Sequence, residues 1–367
     1  MKIGISLSGG GVRATVFHLG VLKRLAESGR WHEIAHVSTV SGGSLCAALI
    51  FAKNRGAWPD GDRFLHETLA LCQRQLTKNS LVTDSLTKGL FFPHLLAGGR
   101  AHLVGRVLRS AWDLEMSLRD LPETPRWTIN STTYETGKNW RFSHKRMGDY
   151  LTGYVLNPDF PVADAAASSA GFPGGIGPLK LETNRWEWVN FIPGSQSKTQ
   201  PVQPLHRHYH LWDGGVYENL GSEALIKPGK GLRDDIDFYI ASDAGRPMQH
   251  EFLRWALRFP PYRPPLRLLD CAMDQIRAVR ARSIHGFLRG AGRGKCVYLQ
   301  IGLPQSAIFR EAGSPMVDDA KDEGVATFSA SFPTTLRRLS EVEYGMLFEH
   351  GYRVADATLA AWVQGEF

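Results

Sequence analysis

Residues 3–13 read IGISLSGGGVR and residues 36–44 read HVSTVSGGS, and these two stretches decide the fold. In each, a short strand-like run ends at a serine and glycines, and a helical pattern follows. The chain therefore begins with two strand–turn–helix units, the alternation that builds a parallel sheet. Because crevices form outside the carboxyl ends of such strands, we expect both glycine turns to face one crevice.

The rest of the chain adds elements around these two units. Further strands are predicted at 126–131, 140–143, 209–212, 236–242 and 296–301. Helices are predicted at 13–28, 43–53, 164–170 and 340–363, the last with an interruption near Gly351. We expect a single α/β domain over residues 1–367, with a helical insertion at 63–122 that forms either a lid over the crevice or an outer helical layer.

The composition, 43% apolar and 22% charged, is that of an ordinary globular protein. The net charge of +7 is concentrated in residues 252–295, which hold nine Arg and one Lys against two Asp. Aromatic residues lie among these arginines, so we predict transient docking of this basic segment on an anionic membrane surface. A solvated helical face is the alternative, and nucleic-acid binding is the least favoured interpretation.

The four cysteines are widely spaced and form no CxxC pair, which argues against a disulfide framework and a zinc site. No run of eighteen apolar residues occurs, and the first strand begins almost at Met1, without room for a signal peptide. We expect a cytoplasmic protein that contacts the inner membrane surface at most peripherally, and the sequence leaves its oligomeric state open.

Ser41 is the candidate nucleophile. A nucleophile elbow reads G-x-S-x-G, and here Gly43 fits the second glycine while Thr39 replaces the first. A β-branched residue at that position raises two expectations, a narrowed pocket or an inactive protein. The alternative is a serine turn that only caps a helix.

The turn at residues 9–11 has two interpretations. Gly9, Gly11 and Ala14 fit the dinucleotide fingerprint, but that site needs an acidic residue at the end of the next strand, where the sequence has STVS at 38–41. The same backbone amides could instead form an oxyanion hole, which stabilises the charge that develops when a serine attacks an ester.

Two groups of histidines and one aspartate are candidate partners for the serine. The first group alternates along a predicted strand and also fits a metal site, and the second follows Asp213 in the Ser, Asp, His order of a hydrolase triad. The groups are His206, His208 and His210, and His250, His285 and His350. Asp213 precedes two glycines after a strand, so its carboxylate can approach a serine without obstruction.

Four motifs, taken in order, resemble those of the patatin-like phospholipases. They are GGGVR at 9–13, SGGS at 41–44, ASSAGFP at 167–173 and DGG at 213–215. The resemblance implies a three-layer α/β/α patatin-like fold with a central, mostly parallel sheet and helical insertions. It also implies a serine hydrolase that cleaves acyl esters of phospholipids or related lipids, without a metal or cofactor.

The resemblance further assigns roles to individual residues. Ser41 is the nucleophile that forms an acyl-enzyme, and Asp213 is the base that accepts its proton. Gly9, Gly10 and Gly11 form the oxyanion hole, with Arg13 ordering that loop. The alternative function is a non-catalytic nucleotide- or lipid-binding module that uses the glycine loop as an anion nest.

Three further polar residues have structural interpretations. Ser168 and Ser169 are rival hydroxyls, but their small neighbours indicate close helix packing against the site. Asp243 ends its own predicted strand, and we expect it to anchor a loop.

Overall fold

The computed structural model describes residues 1–80, 99–173, 175–195, 197–227, 229–248, 263–313 and 320–363. Parts of two predicted features lie outside the described residues, namely 81–98 of the helical insertion and 252–262 of the basic segment. His250 also lies outside them. Both glycine turns and the strands that lead into them are described completely.

The centre of the fold is a parallel sheet. The described strands are β1 (Ile3–Leu7), β2 (Ile34–Val40), β3 (Arg126–Thr133), β4 (Asn139–Phe142), β5 (Arg146–Asp149), β6 (Gly153–Leu156), β7 (Leu179–Glu182), β8 (Val189–Phe191), β9 (Thr199–Pro201), β10 (His208–Asp213), β11 (Ile226–Lys227), β12 (Gly231–Leu232), β13 (Phe238–Asp243) and β14 (Cys296–Gln300). Five of them lie side by side in the order β14–β13–β1–β2–β3 and are parallel. The predicted α/β class is confirmed, and these five strands are all ones that the sequence pattern indicates.

Helices cover both faces of this sheet. The described α-helices of seven or more residues are α1 (Gly11–Glu27), α2 (Gly42–Lys53), α3 (Leu69–Lys78), α4 (Ala101–Trp112), α5 (Val162–Ser169), α6 (Arg263–Arg289), α7 (Gln305–Glu311), α8 (Ala320–Ser331) and α9 (Glu341–Trp362). Strand alternation divides the core: Phe238 and Ile240 of β13 join the main cluster, whereas Tyr239 and Ala241 join a second cluster with Ile284 of α6. The result is the predicted arrangement of three layers.

The predicted interruption of the last helix near Gly351 is wrong, because α9 runs without a break. Gly351 is needed for close packing instead. A Cβ at this position would collide with the carbonyl oxygen of Phe17, and a Cβ on Gly20 would collide with that of Phe348. The two glycines let the backbones of α1 and α9 approach each other.

Antiparallel strands extend the sheet beyond β3. Strands β4, β5, β6, β8 and β9 continue it in that order. A second arm, β7 and β10, pairs with β3 on the side opposite β4, beyond the point where β2 ends. Several of these strands have only three or four residues, which is too short for a periodic pattern to appear.

The described part of the helical insertion packs on the body of the protein. It includes α3, which follows a π-helical turn at Phe64–Thr68, and α4, which packs against α5. Among the residues described, no helix combines the length and the apolar character that crossing a bilayer requires.

Candidate active site

Ser41 lies at a sharp turn between β2 and α2. Its backbone has φ 49° and ψ −114°, values that L-residues rarely adopt and that are typical of a nucleophile at a strand-to-helix turn. The following residues must be small, because a Cβ at Gly43 would collide with the carbonyl oxygen of Leu7. The elbow geometry is therefore present although Thr39 replaces the first glycine.

Buried hydroxyl groups hold this turn in place. The Ser41 amide donates to Ser169 Oγ at 2.9 Å, and Ser169 Oγ donates to the carbonyl of Asn130 at 2.6 Å. Ser44 Oγ lies 2.8 Å from both Ser169 Oγ and Thr39 Oγ1. Thr39 therefore faces the hydroxyl network and is not among the described residues that line the crevice, so the expected narrowing of the pocket is wrong.

Two strands that run in opposite directions bring Ser41 and Asp213 together. Strand β2 ends at Val40, which pairs with Asn130 of β3, and β10 ends at Asp213, which pairs with the next residue, Ser131. The two strands thus meet end to end on one side of β3. Ser41, which follows Val40, lies close enough to the Asp213 carboxylate for its hydroxyl to lower the pKa of that group.

The Asp213 carboxylate has an unusually high proton affinity. Burial raises its pKa from 3.8 to about 7, although hydrogen bonds from the Gly215 amide and from Ser41 act in the opposite direction. The Gly215 amide donates to Asp213 Oδ1 at 2.7 Å. No cation forms an ion pair with Asp213 within the described part of the chain, so its charge is not neutralised. Such a carboxylate is suited to take up and return a proton near neutral pH.

The glycine loop at the end of β1 faces this pair. Gly10 and Gly11 have positive φ angles of 151° and 62°, which leave both amides without an acceptor among the described residues. Gly9 donates to the backbone carbonyl of Asn219 at 3.1 Å. A Cβ on Gly9 would lie 3.0 Å from the Cβ of Ser41, so the loop and the nucleophile are in direct contact.

Arg13 is fully buried and ties the first turn of α1 to two backbone carbonyls that are distant in the chain. Its Nη1 donates to the carbonyl of Phe332 at 2.5 Å, and its Nε and Nη2 donate to the carbonyl of Ala244 at 3.3 and 3.1 Å. Burial, with the nearby charge of Arg246, lowers the pKa of Arg13 to about 10, which still leaves it protonated at neutral pH. Its position agrees with a loop-ordering role.

These groups line one crevice of about 590 Å³. Besides Ser41, Asp213 and the glycine loop, its walls carry the apolar side chains of Phe172, Ile176, Met248, Met273 and Leu336. The sequence reasoning missed two of the walls, α6 and residues 333–336, because neither contains a motif. Among the described residues that line the crevice, none belongs to the insertion at 63–122.

The other candidates lie elsewhere. His210 pairs with Glu135 at 2.6 Å, His285 packs on Tyr298, and His350 accepts from the Gly302 amide at 3.1 Å. None of the histidines in the described ranges lines the crevice. Those ranges also contain no group of three or more His, Cys, Asp or Glu side chains that could hold a metal ion.

Ser168 and Asp243 have the structural roles that the sequence predicts. Ser168 Oγ lies 2.9 Å from Ser131 Oγ, within the buried contact between α5 and β3. Asp243 accepts hydrogen bonds from the Gly245 amide and from Arg277.

The family model described as patatin-like phospholipase matches residues 5–226. The chain therefore belongs to the patatin-like phospholipase family, a class of lipid acyl hydrolases. No curated protein matches the chain in a sequence search.

Among solved structures, human GIVD cytosolic phospholipase A2 aligns with a TM-score of 0.56 and 14% identity, over 98% of this chain and 58% of that chain. The same human enzyme in complex with methyl gamma-linolenyl fluorophosphonate and terbium chloride gives 0.55 and 13%, over 99% of this chain and 58% of that chain. At this identity the similarity is one of fold, and the chain spans about 58% of the length of the human enzyme.

Proposed function

We propose that the protein cleaves fatty acyl esters of phospholipids through an acyl-Ser41 intermediate. The observation that carries the proposal is the meeting of three groups in one crevice: a serine at a strained turn, a carboxylate with a pKa of about 7 and two amides that have no described acceptor. Family membership supports the reaction class.

In the first half of the reaction, Asp213 accepts the hydroxyl proton while Ser41 Oγ bonds to the ester carbonyl carbon. The carbonyl oxygen becomes an anion, and the amides of Gly10 and Gly11 stabilise it by hydrogen bonding. When the intermediate collapses, the C–O bond to the glycerol oxygen breaks, and the proton on Asp213 passes to that oxygen. The lysolipid leaves, and the fatty acyl group stays on Ser41.

In the second half, water replaces the lipid alcohol. Asp213 takes a proton from the water, whose oxygen attacks the acyl carbon, and the same amides stabilise the second anion. Collapse returns the proton to Ser41 and releases the fatty acid. One carboxylate thus serves both halves, which requires a pKa close to the working pH.

The crevice walls fit an acyl chain beside charged groups. Phe172, Ile176 and Leu336 offer apolar surface, and Arg246 and Arg267 lie on the same crevice. An apolar crevice with a few polar groups is typical of sites for small amphipathic ligands.

We also propose that α6 carries the transient contact with an anionic membrane. The helix lines the crevice with one face, and on its outer face it exposes Leu268, Val279, Arg282 and Arg289. Apolar and cationic side chains on one face suit the headgroup layer of an anionic bilayer.

A fluorophosphonate probe tests the proposed chemistry. The native protein should be labelled, Ser41→Ala should lose the label, and Ser168→Ala should keep it because Ser168 is outside the crevice. Mass spectrometry should then detect fatty acid and lysolipid released from phospholipid vesicles by the native protein and by Ser168→Ala, but not by Ser41→Ala. Absence of labelling and of products in the folded native protein would favour the anion-nest function.

A further inference from the structure

Three large side chains on two neighbouring hairpin turns are at least half exposed. Tyr134, in the turn between β3 and β4, is 72% exposed, and Tyr150 and Leu151, in the turn between β5 and β6, are 62% and 50% exposed. We call these three residues the hairpin tips. Lys138 lies beside them, with its Nζ 5.8 Å from the centre of the Tyr150 ring.

The hairpin tips lie at the same edge of the sheet as the candidate active site. The strand pairing puts Val40, Asn130, Arg141 and Gly148 in one row across β2, β3, β4 and β5. Gly148 is therefore three strand spacings of about 4.8 Å away from Val40, the residue before Ser41. This corresponds to a distance of about 14 Å across the sheet. Both hairpin turns lie a few residues beyond this row, on the side of the sheet where β2 ends and Ser41 begins the next turn.

A buried carboxylate joins the two turns into one rigid unit. Asp149 is 2% exposed, and its Oδ2 accepts hydrogen bonds from Thr133 at 2.7 Å and Thr136 at 3.1 Å, in the first turn. Its Oδ1 accepts from the amides of Leu151 at 2.8 Å and Thr152 at 2.9 Å, in the second. Four donors on one carboxylate fix the backbone of both turns, so the exposed side chains keep one relative arrangement.

We propose that the hairpin tips insert into the surface of a lipid bilayer and hold the crevice edge against it. This inference rests on the proposed function, since a phospholipid substrate is presented in a bilayer. Tyrosine rings prefer the headgroup layer and leucine the acyl boundary, and a lysine beside them suits the phosphate level. Because the tips carry little charge, this contact depends on apolar insertion, unlike the arginine contact of α6.

The test is vesicle sedimentation with phosphatidylcholine vesicles, with and without a minority of phosphatidylserine. The combined variant Tyr134→Ser, Tyr150→Ser, Leu151→Ser should bind either kind of vesicle about tenfold more weakly or worse, at high as well as low salt. Leu156→Ser is the matched control, because Leu156 is 43% exposed at the other end of β6 and should bind as the native protein does. Leu151→Trp should strengthen binding.

The outcomes separate this inference from the proposed function. Turnover of a soluble short-chain ester should be unchanged in the combined variant, whereas turnover of vesicle lipid should fall with binding. Native-like vesicle binding by the combined variant, with ester turnover intact, would overturn the inference and leave the function standing. The native protein could also bind vesicles without hydrolysing any ester. If the combined variant then lost vesicle binding, the result would support membrane insertion of the hairpin tips and overturn the proposed function. The native protein could instead fail to bind vesicles, while the combined variant loses self-association. In that case the hairpin tips form a protein interface and the inference is wrong.

Discussion

Asp213 and Asp243 end two strands of the same sheet in the same local turn, yet they differ in what faces them. In each, one carboxylate oxygen accepts the amide of the glycine two residues later, at 2.7 Å for Gly215 and 2.8 Å for Gly245. The second oxygen of Asp243 accepts from Arg277 at 3.0 Å and from the Tyr298 hydroxyl at 2.6 Å.

Asp213 has no such partners within the described residues, where the Gly215 amide donates to its carboxylate and the Ser41 hydroxyl lies nearby. Burial therefore raises the pKa of Asp213. At the other site, the charge of Asp243 raises the pKa of Arg277, although burial of that arginine acts in the opposite direction. The comparison shows that one turn can hold a carboxylate of raised pKa or a structural anchor, depending on whether a cation reaches the carboxylate.

The largest effect should come from Asp213→Asn. The amide can still accept from Gly215 but cannot take a proton, so ester hydrolysis should fall by about 10² to 10⁴. Steady-state kinetics on a soluble ester would measure the loss, with circular dichroism as the check on folding. Asp243→Asn is the control and should lose less than about tenfold, since Asp243 is not placed to touch substrate. Equal losses in the two variants would contradict the difference in roles.

The pH dependence of kcat/KM should report the raised pKa of Asp213. The base must be ionised, so kcat/KM should fall about tenfold per pH unit below pH 7 and reach about a hundredth of its plateau at pH 5. Burial lowers the pKa of His18 and of His350 to about 4, so neither histidine would produce a limb near pH 7. The absence of a limb near pH 7 would contradict the raised pKa of Asp213.

Asp243→Asn should act on stability instead. Among the described residues it leaves the largely buried Arg277 with Asp274 alone as an ion-pair partner, at 3.0 Å, and should cost about 3 kcal/mol of unfolding free energy. Urea denaturation measures this change. Tyr298→Phe removes one hydrogen bond to the same carboxylate and should lower the unfolding free energy by about 1.5 kcal/mol. The two values separate the contribution of this hydrogen bond from that of the ion pair. No loss in either variant would show that Asp243 anchors nothing.

Asp213→Asn should also produce a gain in stability that depends on pH. The folded pKa of about 7 exceeds the unfolded value, so the contribution of this aspartate to stability is present below pH 4 and is lost as the pH rises towards 7. Asparagine does not titrate. The variant should therefore exceed the native protein by about 4 kcal/mol at pH 8 and by little at pH 4. Thermal unfolding at both pH values would reveal the difference, and a constant offset would contradict it.

The local sequence was sufficient to identify the main polar groups that line the crevice, namely the glycine loop, Ser41 and Asp213. The glycine loop and the turn at Ser41 follow from neighbours in the chain, because glycine positions dictate backbone conformations that other residues avoid. Asp213 was recognisable for the same reason. The five parallel strands followed from their apolar runs.

Other parts of the site depend on contacts that local sequence does not encode. The pairing of β10 with β3, which brings Asp213 to Ser41, involves residues about eighty positions apart. Thr39 was misjudged because its role depends on Ser44 and on Trp127, whose indole donates to Thr39 Oγ1 at 2.9 Å. Gly351 was misjudged because a helix partner, Phe17, and not a break in the helix, requires the glycine.

The triglycine turn rests on a distant part of the chain. The amide of Val12 donates to the carbonyl of Thr335 at 2.9 Å, and Arg13 donates to Phe332. Both acceptors lie more than a hundred residues beyond the stretch that the family model matches. A fragment trimmed to residues 5–226 would keep Ser41 and Asp213 but lose the support beneath the amides proposed to bind the oxyanion, so the proposed catalytic unit extends beyond the residues that the family model matches.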